Sequence, residues 1–156
     1  MTANRSPAAN EMPMSNIPFY HIVYLSSATA AFGTRELLDL LESARTKNAR
    51  LGISGLLLYK DGDFIQLIEG KRDVVEGLFD TIKKDPRHMQ TTVLLEGYSD
   101  ERLFTGWSMG FRNLNDTEIQ RLPGFSHFMN RRQVAEQFEA TPHSALHLFS
   151  LFKPAF

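Results

Sequence analysis

Cysteine is absent from the 156-residue chain, which excludes disulfide cross-links, thiolate metal sites and a cysteine nucleophile. Long apolar runs are absent too: no stretch approaches the roughly 20 residues that a membrane helix needs. The opening MTANRSPAANEMPMSN lacks the apolar core of a secretory signal. Neither sign of charge prevails, since 17 Lys and Arg stand against 18 Asp and Glu for a net charge of −1. Without a basic stripe there is no electrostatic footprint for nucleic acid or an anionic membrane. A cytoplasmic protein with no membrane association and no direct nucleic-acid binding is expected. P-loop, GxGxxG and HExxH patterns are missing as well, so no nucleotide cradle or zinc-protease helix is encoded. The five histidines are scattered; only His143 and His147 stand at helical i, i+4 spacing, and zinc would need further ligands, so no metal is expected.

What is present, 42% hydrophobic and 22% charged residues, suits one globular domain with a real core. Residues 1–17 mix Ala, Asn, Pro, Ser and Met without periodicity, the composition of a flexible leader. Phe19 to Leu25 is a strand-length aromatic and β-branched run with Phe19, His21, Val23 and Leu25 on one face and Tyr20, Ile22 and Tyr24 on the other. Both faces are largely apolar, as in a mid-sheet strand covered on both sides or one with a side facing a bound apolar ligand.

Thr34 is the expected N-cap of the next segment, where Leu37, Leu38, Leu40, Leu41 and Ala44 form an apolar face and Arg35, Glu42, Arg45 and Lys47 a solvent side. This helix should end near Asn48-Ala49-Arg50, and a helix-terminal Asn has an ordinary explanation in its tolerance of left-handed angles. Gly52 to Gly70 then reads as a hairpin: apolar Ile53 to Tyr59, an Asp61-Gly62 turn, and Phe64 to Ile68. Gln66 is out of character there. A buried carboxamide has donors and acceptors to satisfy, so something polar should lie opposite it.

Asp73 and Glu76 have capping-box spacing ahead of a helical face of Val74, Val75, Leu78, Phe79 and Ile82, with Pro86 as the stop. Thr91 to Glu96 reads as a strand, and Trp107 to Phe111 as a last one with Trp107, Met109 and Phe111 on one side. The order β-α-β-β-α-β-β predicts an α+β, ferredoxin-like fold: a five-stranded mixed or antiparallel sheet with two helices on one face. Short helical candidates at Arg131 to Phe138 and His143 to Phe152, separated by Thr141-Pro142, would cover the other face. Phe125, Phe128, Phe138, Phe149, Phe152 and Phe156 make that tail too aromatic for water, so it should pack on the sheet or in a subunit contact.

The isolated polar residues form a set when taken together. Tyr24 in HIVYLSSA, Asn48 in KNARLGISG, Gln66 in FIQLIEG, Asp85-Pro86-Arg87-His88, and Trp107-Ser108-Met109 resemble the BLUF family, blue-light sensors that use FAD. The resemblance runs in order from Phe19 to Phe111, with one departure: Ala44 stands where many relatives carry a hydroxyl. It implies a flavin-binding domain over 18–113 and a C-terminal helical extension over 114–156 that lies outside the shared core. The FAD ring would lie between the two helices, against the first and third strands. Aliphatic walls from Leu37, Leu40, Leu41, Val75, Phe79 or their neighbours suit such a ring. By the same resemblance Tyr24, Asn48, Gln66, Asp85, Arg87 and His88 bind the cofactor, and Trp107 and Met109 relay the signal. Blue light would draw an electron and a proton from Tyr24, and their return would leave Gln66 rearranged, with the flavin oxidised in both states. The implied protein is no enzyme; it signals to an unidentified protein partner or through its own assembly as a homo-oligomer.

Other classes make different demands. A flavin-dependent oxidoreductase on this scaffold needs substrate access and turnover in the dark. An acylphosphatase-like hydrolase needs a phosphate nest after the first strand, where Ser26 to Gly33 offers no Arg or Gly-rich loop. A flavin-free interaction module would be colourless.

Overall fold

Period-2 and period-3.6 patterns alternate along the chain, and each apolar face they create must find a partner layer. The computed structural model describes residues 18–30, 32–106, 108–113 and 131–150. In chain order these are β1 (Phe19–Ala28), α1 (Thr34–Leu51), β2 (Ser54–Lys60), β3 (Asp63–Gly70), α2 (Arg72–Lys83), β4 (His88–Ser99), β5 (Gly110–Asn113), α3 (Arg131–Ala140) and α4 (Pro142–Ser150). The sheet order is β4-β1-β3-β2-β5. β1 runs antiparallel to both β3 and β4, β2 antiparallel to β3, and β5 parallel to β2. The fold is therefore the expected α+β, ferredoxin-like one with a mixed sheet. β1 is an interior strand between β4 and β3 with helices packed on both sides of the sheet, which explains its two apolar faces.

The hairpin turn carries the register. Asp61 and Gly62 both take positive φ, 49° and 90°, which matches the right-handed twist of the flanking strands and pairs Lys60 with Asp63. From that pairing, Leu56 to Tyr59 meet Phe64 to Leu67 in sequence, and alternation sorts the side chains onto two faces. One face, with Val23, Leu25, Leu56, Leu58, Ile65 and Leu67, packs against Phe104 and against Val134, Phe138, Ala145 and Phe149 of α3 and α4. On the opposite face Tyr24, Leu57, Phe64 and Ile68 meet Leu37 and Leu41 of α1 and Val75, Leu78 and Phe79 of α2. α3 and α4 thus cover the first of these faces; Phe125, Phe128, Phe152 and Phe156, like residues 1–17, lie outside the described residues.

Several local expectations are corrected. The N-cap of α1 is Gly33, whose N–H donates to Glu36 Oε1 at 2.8 Å, because the acidic side chain three residues on reaches back to it; Thr34 is the first helical residue. Lys71 precedes α2 without a side-chain cap; Asp73 lies within the first turn, and Glu76 pairs with Arg72 at 3.1 Å. The left-handed residue ending α1 is Gly52, φ 71°, leaving Asn48 helical with its side chain turned inward. Met109 precedes β5 and is not part of it; β5 is the edge strand beyond β2. Pro142 opens α4, where its missing N–H costs nothing. Among the described residues no helix is long and apolar enough to cross a membrane.

Candidate functional site

Between α1 and α2, on the helix-covered face of the sheet, lies a cleft that is partly open to solvent. All six residues expected to bind a cofactor line it: Tyr24 from β1, Asn48 from α1, Gln66 from β3, and Asp85, Arg87 and His88 after α2. Its apolar walls come from Leu40 and Leu41 on α1 and Leu78 and Ile82 on α2. Leu37, Val75 and Phe79 lie instead in the core behind them, where the Phe79 ring packs 5.2 Å from that of Tyr24.

The polar centre follows from register. Antiparallel pairing of β1 with β3 sets Tyr24 directly opposite Gln66, so two side chains 42 residues apart in sequence become neighbours. Tyr24 Oη donates to Gln66 Oε1, and Gln66 Nε2 donates to Met109 Sδ at 3.3 Å. All three are sequestered, with 3%, 8% and 2% exposure respectively. Burial, and secondarily the negative charge of Asp85, pushes the Tyr24 hydroxyl well above its ordinary pKa, so it stays a proton-bearing donor at neutral pH.

Met109 reaches this pair across β2. The passage is Gly55: a side chain there would begin 3.3 Å from Met109 Cε and only 2.0 Å from the Leu67 carbonyl oxygen. Two groups of α1 fix the backbone that carries Met109: Asn48 Nδ2 donates to Ser108 O at 2.9 Å, and Arg45 Nε to Met109 O at 2.8 Å. Arg45, expected simply to line the solvent side, is exposed yet bridges to this segment. Trp107 lies outside the described residues.

The Asp85–His88 turn forms one end of the cleft. Arg87 grips Asp85 with two nitrogens, Nε to Oδ1 at 3.0 Å and Nη2 to Oδ2 at 2.6 Å. That guanidinium holds the Asp85 carboxyl down at about 2, from an ordinary 3.8. The His88 ring bonds the Ile82 carbonyl, and Thr29 N–H donates to Arg87 O at 2.9 Å, tying the turn to the end of β1.

A flat aromatic ring with one polar edge fits this donor set: aliphatic walls on two sides, carboxamides at Asn48 and Gln66, and a phenol. A further feature points the same way. Among the described residues, Ser26 Oγ is the one buried side-chain polar atom without a hydrogen-bond partner, and it faces the cleft. An orphaned buried hydroxyl costs free energy unless a ligand satisfies it. Ser26 was not singled out from sequence, although it shares Tyr24's face of the strand two residues on. Lys47 also lines the cleft beside Asn48. Arg45 and Gly55 carry no comparable sequence signal, because their roles depend on where β5 falls.

The family model for BLUF, sensors of blue light using FAD, matches residues 19–110, more than half of the chain. The photoactivated adenylate cyclase subunit beta of Euglena longa is 33% identical over 89 residues, 56% of this chain, and the chain spans 10% of that relative's length. Among solved structures, the dark state of BlrB, a BLUF protein, superimposes with a TM-score of 0.69 at 27% identity, covering 84% of this chain and 96% of that one. Klebsiella pneumoniae BlrP1 with FMN and cyclic diGMP does so at 0.60 and 31% identity, covering 80% and 35%. Fold, ordered motifs and family match agree: this chain belongs to the BLUF family of flavin-based blue-light sensors.

Proposed function

We propose that the protein is a blue-light photoreceptor that holds FAD in the α1–α2 cleft and signals by rearranging the Tyr24–Gln66–Met109 chain of contacts. The observation that carries this reading is that chain itself: a proton donor, a carboxamide and a thioether joined in series at the cleft's inner wall. The bound flavin supplies blue-light absorption and an acceptor for one electron. Tyr24 supplies the electron and a proton poised at Gln66 Oε1. Gln66 is the element that can switch, because turning its carboxamide end for end exchanges donor and acceptor within one volume. Met109 Sδ then loses its N–H partner, and the segment held by Asn48 and Arg45 feels the change. Asn48 and Ser26 orient the polar edge, while Asp85, Arg87 and His88 shape the outer end of the cleft.

In this reading residues 18–113 are the light-sensing unit and residues 114–156 a helical extension, with 1–17 a leader. In the same reading the output passes to a protein partner or through self-association, and the protein works in the cytoplasm. FAD is favoured over FMN by the family's description, although FMN accompanies one structural neighbour. Reconstitution with each flavin tests both points. The protein should emerge yellow with FAD, with a flavin band that shifts under blue light and returns in the dark; a colourless protein contradicts the proposal.

A further inference from the structure

The connection between β4 and β5 passes from one face of the sheet to the other, and a buried carboxylate holds it at its start. Glu69 lies on β3 three residues beyond Gln66, so alternation turns its side chain to the opposite, α3–α4 face. It is 1% exposed. Its oxygens accept from Leu103 N–H at 2.8 Å, Phe104 N–H at 2.8 Å and the Ser54 hydroxyl at 2.9 Å. Arg102 braces the same corner, donating to Ser54 Oγ at 2.8 Å and to Gly52 O at 2.7 Å. A carboxylate is costly to bury, and bonds from two consecutive amides to it are charge-assisted, so this is a strong anchor for a loop.

What the anchor holds is placed to matter at both faces. Phe104 is fully buried and meets the α4 ring of Phe149 edge-on at 6.2 Å. Further along, the same connection reaches the cleft face, where Ser108 and Met109 are held by α1 and Met109 touches Gln66. The connection therefore joins the switch residue to the helical layer behind the sheet, with Glu69 as the fixed point between them.

We propose that Glu69 is a further positioning residue for Met109, acting with Asn48 and Arg45: by pinning the amides of 103 and 104 it helps set Met109 against Gln66 and ties its movement to α4. The consequence for signalling rests on the photoreceptor reading, whereas the positioning requires no bound flavin. Glu69→Gln keeps the size but replaces one acceptor oxygen with an NH2 group, leaving a donor facing a donor. In the full chain without flavin, amide exchange at Leu103 and Phe104 should then accelerate about tenfold or more, as a lost buried bond predicts. The methyl signal of labelled Met109 should move or broaden in the same sample. With FAD bound, cofactor retention should stay near wild type, since Glu69 is on the far face, while dark recovery quickens by about threefold or more.

Unchanged exchange at Leu103 and Phe104 would overturn the proposal. So would lost protection with the Met109 signal unmoved. Should Glu69→Gln fail to fold, Ser54→Ala removes one of the three donors and should shift the Met109 signal by a smaller amount; no shift in that variant overturns the proposal equally. Failure to take up FAD would count against the photoreceptor reading alone, because the exchange and methyl readouts are flavin-free.

Discussion

Tyr24→Phe isolates one hydroxyl. The ring and its packing on Phe79 at 5.2 Å are retained, while the bond to Gln66 Oε1 is lost. A buried carbonyl oxygen without its donor costs about 1–3 kcal/mol, offset in part because the removed hydroxyl no longer has to be buried. A net loss of about 1–2 kcal/mol corresponds to a fall in Tm of roughly 2–8 °C for a domain of this size. Flavin affinity should change by less than about threefold, since that much corresponds to under 1 kcal/mol and the cleft walls are intact. The light response should vanish, for neither the transferable proton nor the accessible electron remains. The assay is a thermal melt, a flavin titration and an illuminated-minus-dark absorption spectrum on one preparation. A normal light-induced shift in this variant would refute the role given to Tyr24, whatever its stability.

Other expectations follow from the same geometry. Gln66→Leu keeps the bulk without donor or acceptor and should retain flavin while losing the light shift, as absorption spectra would show. Asn48→Ala leaves both a flavin edge and Ser108 O without a donor and should weaken flavin binding by about 1–3 kcal/mol in a titration. Ser26→Ala should raise the melting temperature of the flavin-free protein, by removing its orphaned hydroxyl, and should reduce flavin retention; opposite signs in both would remove Ser26 from the site. Asp85, with its pKa lowered to about 2 by Arg87, stabilises the fold above pH 4, and that contribution is lost as pH falls through about 2. Carbon-detected NMR should find its midpoint there, and Arg87→Ala should return it toward 3.8. Phe138→Ala should cost about 3–5 kcal/mol in denaturant unfolding, because its ring is buried against the sheet.

The strands and helices were legible because burial on two sides leaves a strong mark: β1 is apolar on both faces, and Asp61-Gly62 names its own turn. Gln66 was legible for the converse reason, as a carboxamide in an apolar strand that demanded a partner; the antiparallel register then supplied Tyr24. What sequence could not reveal is anything set by the last strand. A four-residue β5 pairing parallel with β2 has little periodicity, so the reach of Met109 over Gly55 and the roles of Arg45 and Glu69 emerge only in three dimensions. Helix caps are set by backbone geometry that residue type alone does not show: Gly33 with Glu36 does the capping expected of Thr34.

The central claim is that light rearranges the Gln66 carboxamide while Tyr24 provides the proton and electron. Infrared difference spectra of the FAD-loaded protein, illuminated minus dark, with glutamine side chains isotopically labelled, address it directly. The account predicts a label-sensitive carboxamide band that moves under blue light, recovers in the dark, and is absent in both Gln66→Leu and Tyr24→Phe. A visible flavin shift with no label-sensitive change would contradict it.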